Sequence, residues 1–192
     1  MATEYEWKFR ATEQVLAEIA EEFPQEGEKI SMETTYYDTP TGALSNRHYT
    51  LRRRLENGVA VCTLKAPAGT GRGEWEVLCD GIQGAVSKLL EQGCPRELSE
   101  LVQEGLVPVC GARFTRIAKT VILPNGSVEL ALDHGVFFGG GGEAPLCEAE
   151  VELKSGTEAM CDAFAGELAA RFALAVEEKS KFARALALYK GE

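Results

Sequence analysis

Hydrophobic and polar residues alternate one by one along much of this chain, which is the period of a β-strand whose two faces meet different surroundings. Some successive segments are joined by residues typical of tight turns, namely Asn57-Gly58 and Pro124-Asn125-Gly126. The pattern predicts an antiparallel sheet assembled largely from hairpins. The predicted strands are residues 4–10, 32–37, 51–56, 59–66, 73–80, 113–123, 127–138 and 146–156.

Other segments carry apolar residues at helical spacing, which predicts helices at residues 12–23, 81–93, 157–173 and 178–189 and a short one after Pro95. Thr12 is placed to cap the first of these helices. Because strands occur over the whole length and no linker interrupts them, the sequence predicts a single domain spanning residues 1–192. Its class is α+β, an antiparallel barrel or strongly curved sheet with helices packed outside.

The polar faces of the predicted strands are unusual because they are charged rather than merely hydrophilic. One strand places Arg52 and Arg54 on the same face, and another places Glu148, Glu150 and Glu152 on the same face. Three glutamates in a row repel one another in water, but they become ligands when they face a divalent cation. Arginines at alternate positions likewise suit a polyanion. The pattern therefore predicts that the charged faces point inward, towards a barrel lumen.

Composition narrows the classes of function. A net charge of −10 argues against binding to nucleic acid or to an anionic membrane. No apolar run approaches the roughly 20 residues of a membrane span, and no signal-peptide pattern opens the chain, so we expect a cytoplasmic protein. The six cysteines lack metal-ligand spacing and are expected to be buried free thiols, and with only two histidines a histidine-based metal site is not expected.

An ordered set of short motifs carries a family resemblance. The chain opens with a Glu-x-Glu-x-Lys pattern at residues 4–8, and "YYDTP", "LRRR", "TLK", "EWEV", "ELALD", "CEAEVEL" and "SKFARAL" follow in that order. Over about residues 4–190 the sequence resembles the CYTH superfamily of triphosphate tunnel metalloenzymes, and it is most similar to the bacterial inorganic triphosphatases. The resemblance implies an eight-stranded antiparallel tunnel that binds a triphosphate and uses Mg²⁺ or Mn²⁺.

The resemblance also implies roles for individual residues. The implied metal ligands are Glu4, Glu6, Glu150 and Glu152. The implied phosphate-binding residues are Lys8, Arg52, Arg54, Lys65, Arg116 and Lys181. Glu74, Glu129 and Glu148 would line the tunnel and orient basic groups or a metal-bound water, and with Glu4, Glu6 and Lys8 they form the candidate catalytic set. Lys179 is the alternative to Lys181, and the register of Arg113 and Asp133 is open.

Three functions are compatible with this pattern. The favoured one is hydrolysis of inorganic tripolyphosphate to pyrophosphate and phosphate. This reaction needs a positioned water and positive groups that neutralise the negative charge on the phosphate oxygens. The second uses the same tunnel on an organic triphosphate, by thiamine triphosphate hydrolysis or by adenylate cyclisation of ATP. The third is a non-catalytic polyphosphate or nucleotide binding module.

Overall fold

The computed structural model describes residues 5–68 and 71–191, and its strands form one continuous antiparallel sheet. The strands are β1 (Glu6–Arg10), β2 (Glu28–Asp38), β3 (Thr50–Glu56), β4 (Val59–Ala68), β5 (Gly71–Leu78), β6 (Val107–Leu123), β7 (Gly126–Gly139), β8 (Gly142–Ser155) and β9 (Ala175–Val176). Their order in the sheet is β5-β4-β3-β2-β6-β7-β8-β1-β9. The predicted antiparallel architecture is confirmed.

The sheet has nine described strands, one more than predicted, and it curves into a tunnel-like shape without closing as a barrel. The additional strand is the two-residue β9, which pairs only with Phe9 and Arg10 of β1. Among the described residues, β5 and β9 form the two edges of the sheet. Such a short strand leaves no alternation for a sequence pattern to detect.

The helices are α1 (Glu13–Glu22), α2 (Ala43–Asn46), α3 (Ile82–Glu91), α4 (Glu97–Leu101), α5 (Glu158–Phe172) and α6 (Lys181–Lys190). Thr12 caps α1 as predicted, since its hydroxyl accepts a hydrogen bond from the Val15 amide at 3.2 Å. Ser180 caps α6 in the same way through the Ala183 amide, so this helix begins three residues later than predicted. None of the helices in the described ranges is long and apolar enough to cross a bilayer.

Two apolar clusters hold helices against the convex face of the sheet. The alternate residues Leu51 and Leu64 of β3 and β4 pack with Leu89 of α3. At the other end, Phe9 and Val151 belong to a cluster that includes residues of α1, α5, β7 and β8. The alternation read from the sequence therefore places apolar side chains under helices, as predicted.

Helix α6 differs from the others because it packs on the concave face. Phe182 lies 4.9 Å from the ring of Tyr36, measured between ring centroids, and Ala185 is buried in a cluster with Phe114 and Phe137. These strand positions share the concave face with the charged residues, but at this end of the sheet the face is apolar and must be covered. One helix therefore occupies the inside of the sheet, where the sequence predicted only charge.

Two of the tight turns between strands depend on glycine. Asn57 and Gly58 both have positive φ angles, 49° and 88°, as a two-residue type I′ hairpin requires. The glycine-rich segment that joins β7 to β8 is a tight turn beside α6. A Cβ atom on Gly140 (φ 59°) would lie 2.8 Å from the carbonyl oxygen of Tyr189, so a side chain there would push against the helix.

The cysteines agree with the expectation of free thiols. All six are unpaired; Cys62, Cys94, Cys110 and Cys161 are buried, whereas two others are half-buried. Burial raises the pKa of Cys110 to about 12, which keeps this thiol protonated and unreactive at neutral pH.

Candidate active site

The concave face of the sheet encloses a cavity of about 350 Å³ whose wall is dominated by charged side chains. Among the described residues, six basic and seven acidic ones line it. The basic residues are Lys8, Arg52, Arg54, Lys65, Arg116 and Lys181. The acidic residues are Glu6, Glu56, Glu74, Glu76, Glu129, Glu150 and Glu152.

Strand alternation decides which charges reach the cavity. On β3, Arg52 and Arg54 line it, whereas Arg53 between them points to the other face and donates from Nε to the carbonyl oxygen of Asp80 at 2.7 Å. On β8, Glu150 and Glu152 line the cavity while Val151 lies in an apolar cluster of the convex face. The two-residue period therefore separates ionic from apolar surroundings along these strands.

The two cavity-lining arginines of β3 are incompletely bonded. The Nε atoms of Arg52 and Arg54 are buried and have no hydrogen-bond partner within the described part of the chain. Burial lowers the pKa of Arg54, and the nearby charge of Arg52 lowers it further. A buried donor without a partner is unfavourable, as are two neighbouring guanidinium groups. An anion bound between them would relieve both costs.

Other residues hold these basic groups in place. Glu74 lies 2.9 Å from the ammonium of Lys65 and 3.8 Å from a terminal nitrogen of Arg52. Burial raises the pKa of the Tyr36 hydroxyl, although Arg52 and Lys181 act in the opposite direction. Tyr36 therefore remains neutral and contacts Arg52 as a hydrogen-bonding group.

In a second group, basic and acidic side chains are closely packed and bonded to one another. Arg116 donates to both oxygens of Asp133 at 2.7 Å and also contacts Glu150. The ammonium of Lys181 lies 2.6 Å from Glu148, 2.6 Å from Glu150 and 3.0 Å from Asp133. Burial alone would lower the pKa of Lys181, but the three carboxylates outweigh it and raise this pKa. Lys181 is therefore a permanently charged group at the cavity wall.

The carboxylates of this group respond to burial in different ways. Burial alone would raise the pKa of Glu150, but Lys181 and Arg116 outweigh it and lower the pKa to about 2. Burial also raises the pKa of Glu148, and here Lys181 offsets the effect only in part. Glu150 is thus ionised throughout the neutral range.

The lowered pKa of Glu150 predicts a pH-dependent stability difference. Its negative charge stabilises the fold fully above its ordinary pKa of 4.5, and this contribution is lost as the pH falls towards about 2. We expect Glu150→Gln to lower the free energy of unfolding by about 3 kcal/mol at pH 7, and by clearly less at about pH 3. Urea unfolding in the presence of a chelator measures the difference.

The matched control is Glu143→Gln, which removes the carboxylate from an exposed ion pair with Arg113. We expect this substitution to change the free energy of unfolding by about 0.5 kcal/mol or less, with little dependence on pH, because solvent screens this pair. If Glu150→Gln lowered the free energy of unfolding by the same amount at neutral and acidic pH, the assignment of Glu150 as an ionised, stabilising group would be contradicted.

Two sets of carboxylates have the chemistry of a divalent cation site. Asp133, Glu148 and Glu150 each bring an oxygen to within 4.8 Å of one another, but Lys181 and Arg116 already occupy much of the space between them. The second set is more open.

The open set consists of Glu6, Glu152 and Glu129 on the adjacent strands β1, β8 and β7. Glu152 is the register partner of both others, and all three line the cavity. Lys8 lies 3.4 Å from Glu6, and Lys154 lies 2.9 Å from Glu152, and both amines have partly exposed side chains that can turn away. Carboxylate oxygens are the ligands that Mg²⁺ and Mn²⁺ prefer, so the residues fit the implied metal.

The structure brings most of the predicted site residues together. Of the predicted set, the cavity is lined by Glu6, Lys8, Arg52, Arg54, Lys65, Glu74, Arg116, Glu129, Glu150, Glu152 and Lys181. Glu148 does not line the cavity as predicted: only 1% of it is exposed, and it lies beneath Lys181 because this end of β8 is covered by α6. Glu4 lies outside the described residues.

The sequence left open the register of Arg113 and Asp133 and the choice between Lys181 and Lys179, and the structure answers both questions. Asp133 faces inward and bonds to Arg116, whereas Arg113 points away from the cavity towards Glu143 and Phe138. Lys181 enters the cavity, and Lys179 is exposed.

Sequence reasoning missed several charged residues at or near the cavity. Glu56 and Glu76 continue the alternation of Arg54 and Glu74, so the period-2 pattern contained the signal for them. Glu177 and Arg184 form part of the buried ionic network behind Lys181. Arg184 lies within the "SKFARAL" motif, but neither residue could be assigned its contacts, because their partners include residues of distant strands.

Comparison with known proteins gives a consistent result. The CYTH domain family matches residues 2–186. A curated relative, an inorganic triphosphatase from Haemophilus influenzae, is 27% identical over 165 residues, which cover 81% of this chain and 46% of the relative. The chain thus spans about half the length of this relative.

Solved structures share the fold at low sequence identity. HpAC1 from Hippeastrum, a candidate adenylyl cyclase described as having a dominant triphosphatase activity, has a TM-score of 0.69 and 18% identity, covering 98% of this chain and 96% of that one. A candidate adenylate cyclase from Bacillus halodurans has a TM-score of 0.62 and 18% identity, covering 92% and 93% of the two chains. Protein PH1819 from Pyrococcus horikoshii has a TM-score of 0.60 and 20% identity, covering 99% and 100%.

Proposed function

The chain belongs to the CYTH domain family, and from this premise we propose that it is a metal-dependent hydrolase that converts inorganic tripolyphosphate to pyrophosphate and phosphate. The observation that carries the proposal is the pair of buried Nε donors of Arg52 and Arg54 on the cavity wall. Two adjacent guanidinium groups without complete bonding are suited to a polyanion with several phosphate oxygens. The name of the Haemophilus relative supports the choice of an inorganic triphosphate.

In this proposal the basic residues bind and orient the substrate. Arg52 and Arg54 bind phosphate oxygens through planar donor pairs, while Lys8 and Lys65 contribute point charges from neighbouring parts of the wall. Glu74 fixes the positions of Lys65 and Arg52. Lys181 is held by three carboxylates and presents a fixed positive charge, which stabilises the negative charge that develops in the transition state.

Hydrolysis requires a water oxygen to form a bond with a terminal phosphorus while the bond to the bridging oxygen breaks. The electron pair of the broken bond remains on the pyrophosphate. Glu129 is placed to accept the proton of the water, because it faces the cavity.

We further propose that Glu6 and Glu152 hold a Mg²⁺ or Mn²⁺ ion, joined by Glu4 and by Glu150 if Lys181 or Arg116 releases one of its oxygens. The bound ion supplies further neutralisation of the phosphate charge. We also propose that residues 1–192 act as a single domain, since every described strand belongs to one sheet.

The proposal predicts the outcome of a substrate panel. The purified protein is expected to release phosphate from tripolyphosphate with Mg²⁺ or Mn²⁺, and a chelator is expected to abolish release. Tripolyphosphate, thiamine triphosphate and ATP are compared by product chromatography at equal concentration. Metal-dependent binding of tripolyphosphate without turnover would instead indicate a non-catalytic binding module.

An organic triphosphate is the second candidate because part of the cavity wall is apolar. Ile30, Met32, Phe114 and Phe182 form this part. An aromatic ring of a substrate would find contacts there that a bare triphosphate does not need. A higher kcat/KM for thiamine triphosphate, or formation of cyclic AMP and pyrophosphate from ATP, would favour this alternative and overturn the first.

A further inference from the structure

Glu177 is a buried carboxylate that lies outside the cavity. Only 2% of the residue is exposed, although it stands in the short segment between β9 and α6. Its oxygens accept hydrogen bonds from Nε of Arg10 at 2.6 Å and from the backbone amide of Lys179 at 2.9 Å. Its own amide donates to the carbonyl oxygen of Lys8 at 2.8 Å. Glu177 thus anchors the segment that leads into α6 onto β1.

Arg184 connects this anchor to the cavity. Its Nη1 atom lies 3.5 Å from Glu177 and also contacts Glu148, while its guanidinium carbon lies 4.5 Å from the centre of the Phe137 ring. Glu148 in turn accepts a hydrogen bond from Lys181 at 2.6 Å. A continuous chain of opposite charges therefore runs from the segment before α6 to the ammonium that lines the cavity.

We propose that Glu177 and Arg184 are positioning residues that hold Lys181 at the cavity wall by acting through Glu148. The lysine side chain has four rotatable carbons and does not fix its own ammonium. Arg184 places a second positive charge against the buried Glu148, and Glu177 keeps Arg184 and the start of α6 in place. The functional importance of this chain rests on the proposed function, but the position of Lys181 does not.

The position of Lys181 can be measured without substrate. An amine-acetylating reagent is applied to the full chain, and acetylation of Lys181 and Lys179 is followed by fragment-ion mass spectrometry. Lys179 is exposed and serves as the internal control. In the wild type Lys181 is expected to react much more slowly. In Glu177→Gln and in Arg184→Met its rate is expected to rise about tenfold, because the ammonium is no longer held between its carboxylates, while the rate of Lys179 stays the same.

Two further variants separate this effect from general loosening of the fold. Glu22→Gln removes a carboxylate from the exposed pair with Arg171 and is expected to leave the labelling of Lys181 unchanged. Arg184→Lys keeps the positive charge, so it is expected to keep most of the protection even if Arg184→Met folds poorly. Wild-type protection of Lys181 in both Glu177→Gln and Arg184→Met would overturn the inference.

Kinetics with tripolyphosphate test whether the two residues act through Lys181. Glu177→Gln alone is expected to lower kcat/KM about tenfold, but adding it to Lys181→Met is expected to change the value by no more than about twofold. Multiplicative losses in the double variant would indicate an independent role and overturn the inference. If the wild type hydrolyses no triphosphate, the proposed function fails, and acetylation alone still decides where Lys181 is held.

Discussion

Arg52→Ala is expected to lower kcat/KM for tripolyphosphate by about 100-fold or more, the loss typical of removing one preorganised donor to a developing charge. Arg52 lines the cavity, its Nε atom is buried and has no partner among the described residues, and Glu74 holds its terminal nitrogen. Initial rates of phosphate release with Mg²⁺ measure the effect. The substitution removes the contacts of Arg52 with Glu74 and Tyr36, but it also removes the repulsion with Arg54, so the two effects on the free energy of unfolding oppose each other.

The control is Arg53→Ala in the adjacent position of the same strand. Arg53 bonds to the carbonyl oxygen of Asp80 on the convex face and does not reach the cavity. We expect its kcat/KM to remain within about twofold of the wild type, because surface substitutions away from a site change little. Equal activity of Arg52→Ala and Arg53→Ala would refute the assignment of the cavity as the active site.

Lys181→Met is expected to impair both stability and activity. Asp133, Glu148 and Glu150 share its ammonium, and without it they retain only arginine partners for three buried carboxylates. Removing one partner of a buried ionic group costs about 3 kcal/mol or more of the free energy of unfolding. Urea unfolding and tripolyphosphate kinetics, the latter at a temperature where the variant is folded, measure the two effects.

Lys179→Met provides the matched control for this substitution. Lys179 lies two residues earlier, and its side chain is exposed. We expect both its stability and its kcat/KM to stay near the wild-type values. A Lys181→Met variant with normal stability would show that the carboxylate cluster is compensated by other means. Loss of activity in Lys179→Met alone would instead favour Lys179 as the substrate ligand.

The sequence by itself determined the strands, their hairpins and the face of each strand that carries charge. The Asn57-Gly58 pair accepts the positive φ angles of a tight turn, so it fixes the register of β3 and β4 locally. Once the register is fixed, the two-residue period places Arg52 and Arg54 on one face whatever the rest of the chain does. For this reason most of the cavity-lining residues could be predicted.

The residues at which individual strands begin and end were harder to predict. Pro108 lacks an amide hydrogen and argues against a strand, yet β6 begins at Val107 because the pairing register shifts opposite it, between Tyr36 and Tyr37. The two residues of β9 carry no pattern of their own and become a strand only by pairing with β1.

Only the tertiary structure decided which charges meet and where α6 lies. An amphipathic helix has the same sequence pattern whether its apolar side covers the outside or the inside of a curved sheet. The burial of Glu148 and the contact between Glu177 and Arg184 depend on that choice, since α6 brings residues into contact with strands some 30 positions away. Periodicity is a property of neighbours along the chain, whereas the balance of buried charges depends on neighbours in space.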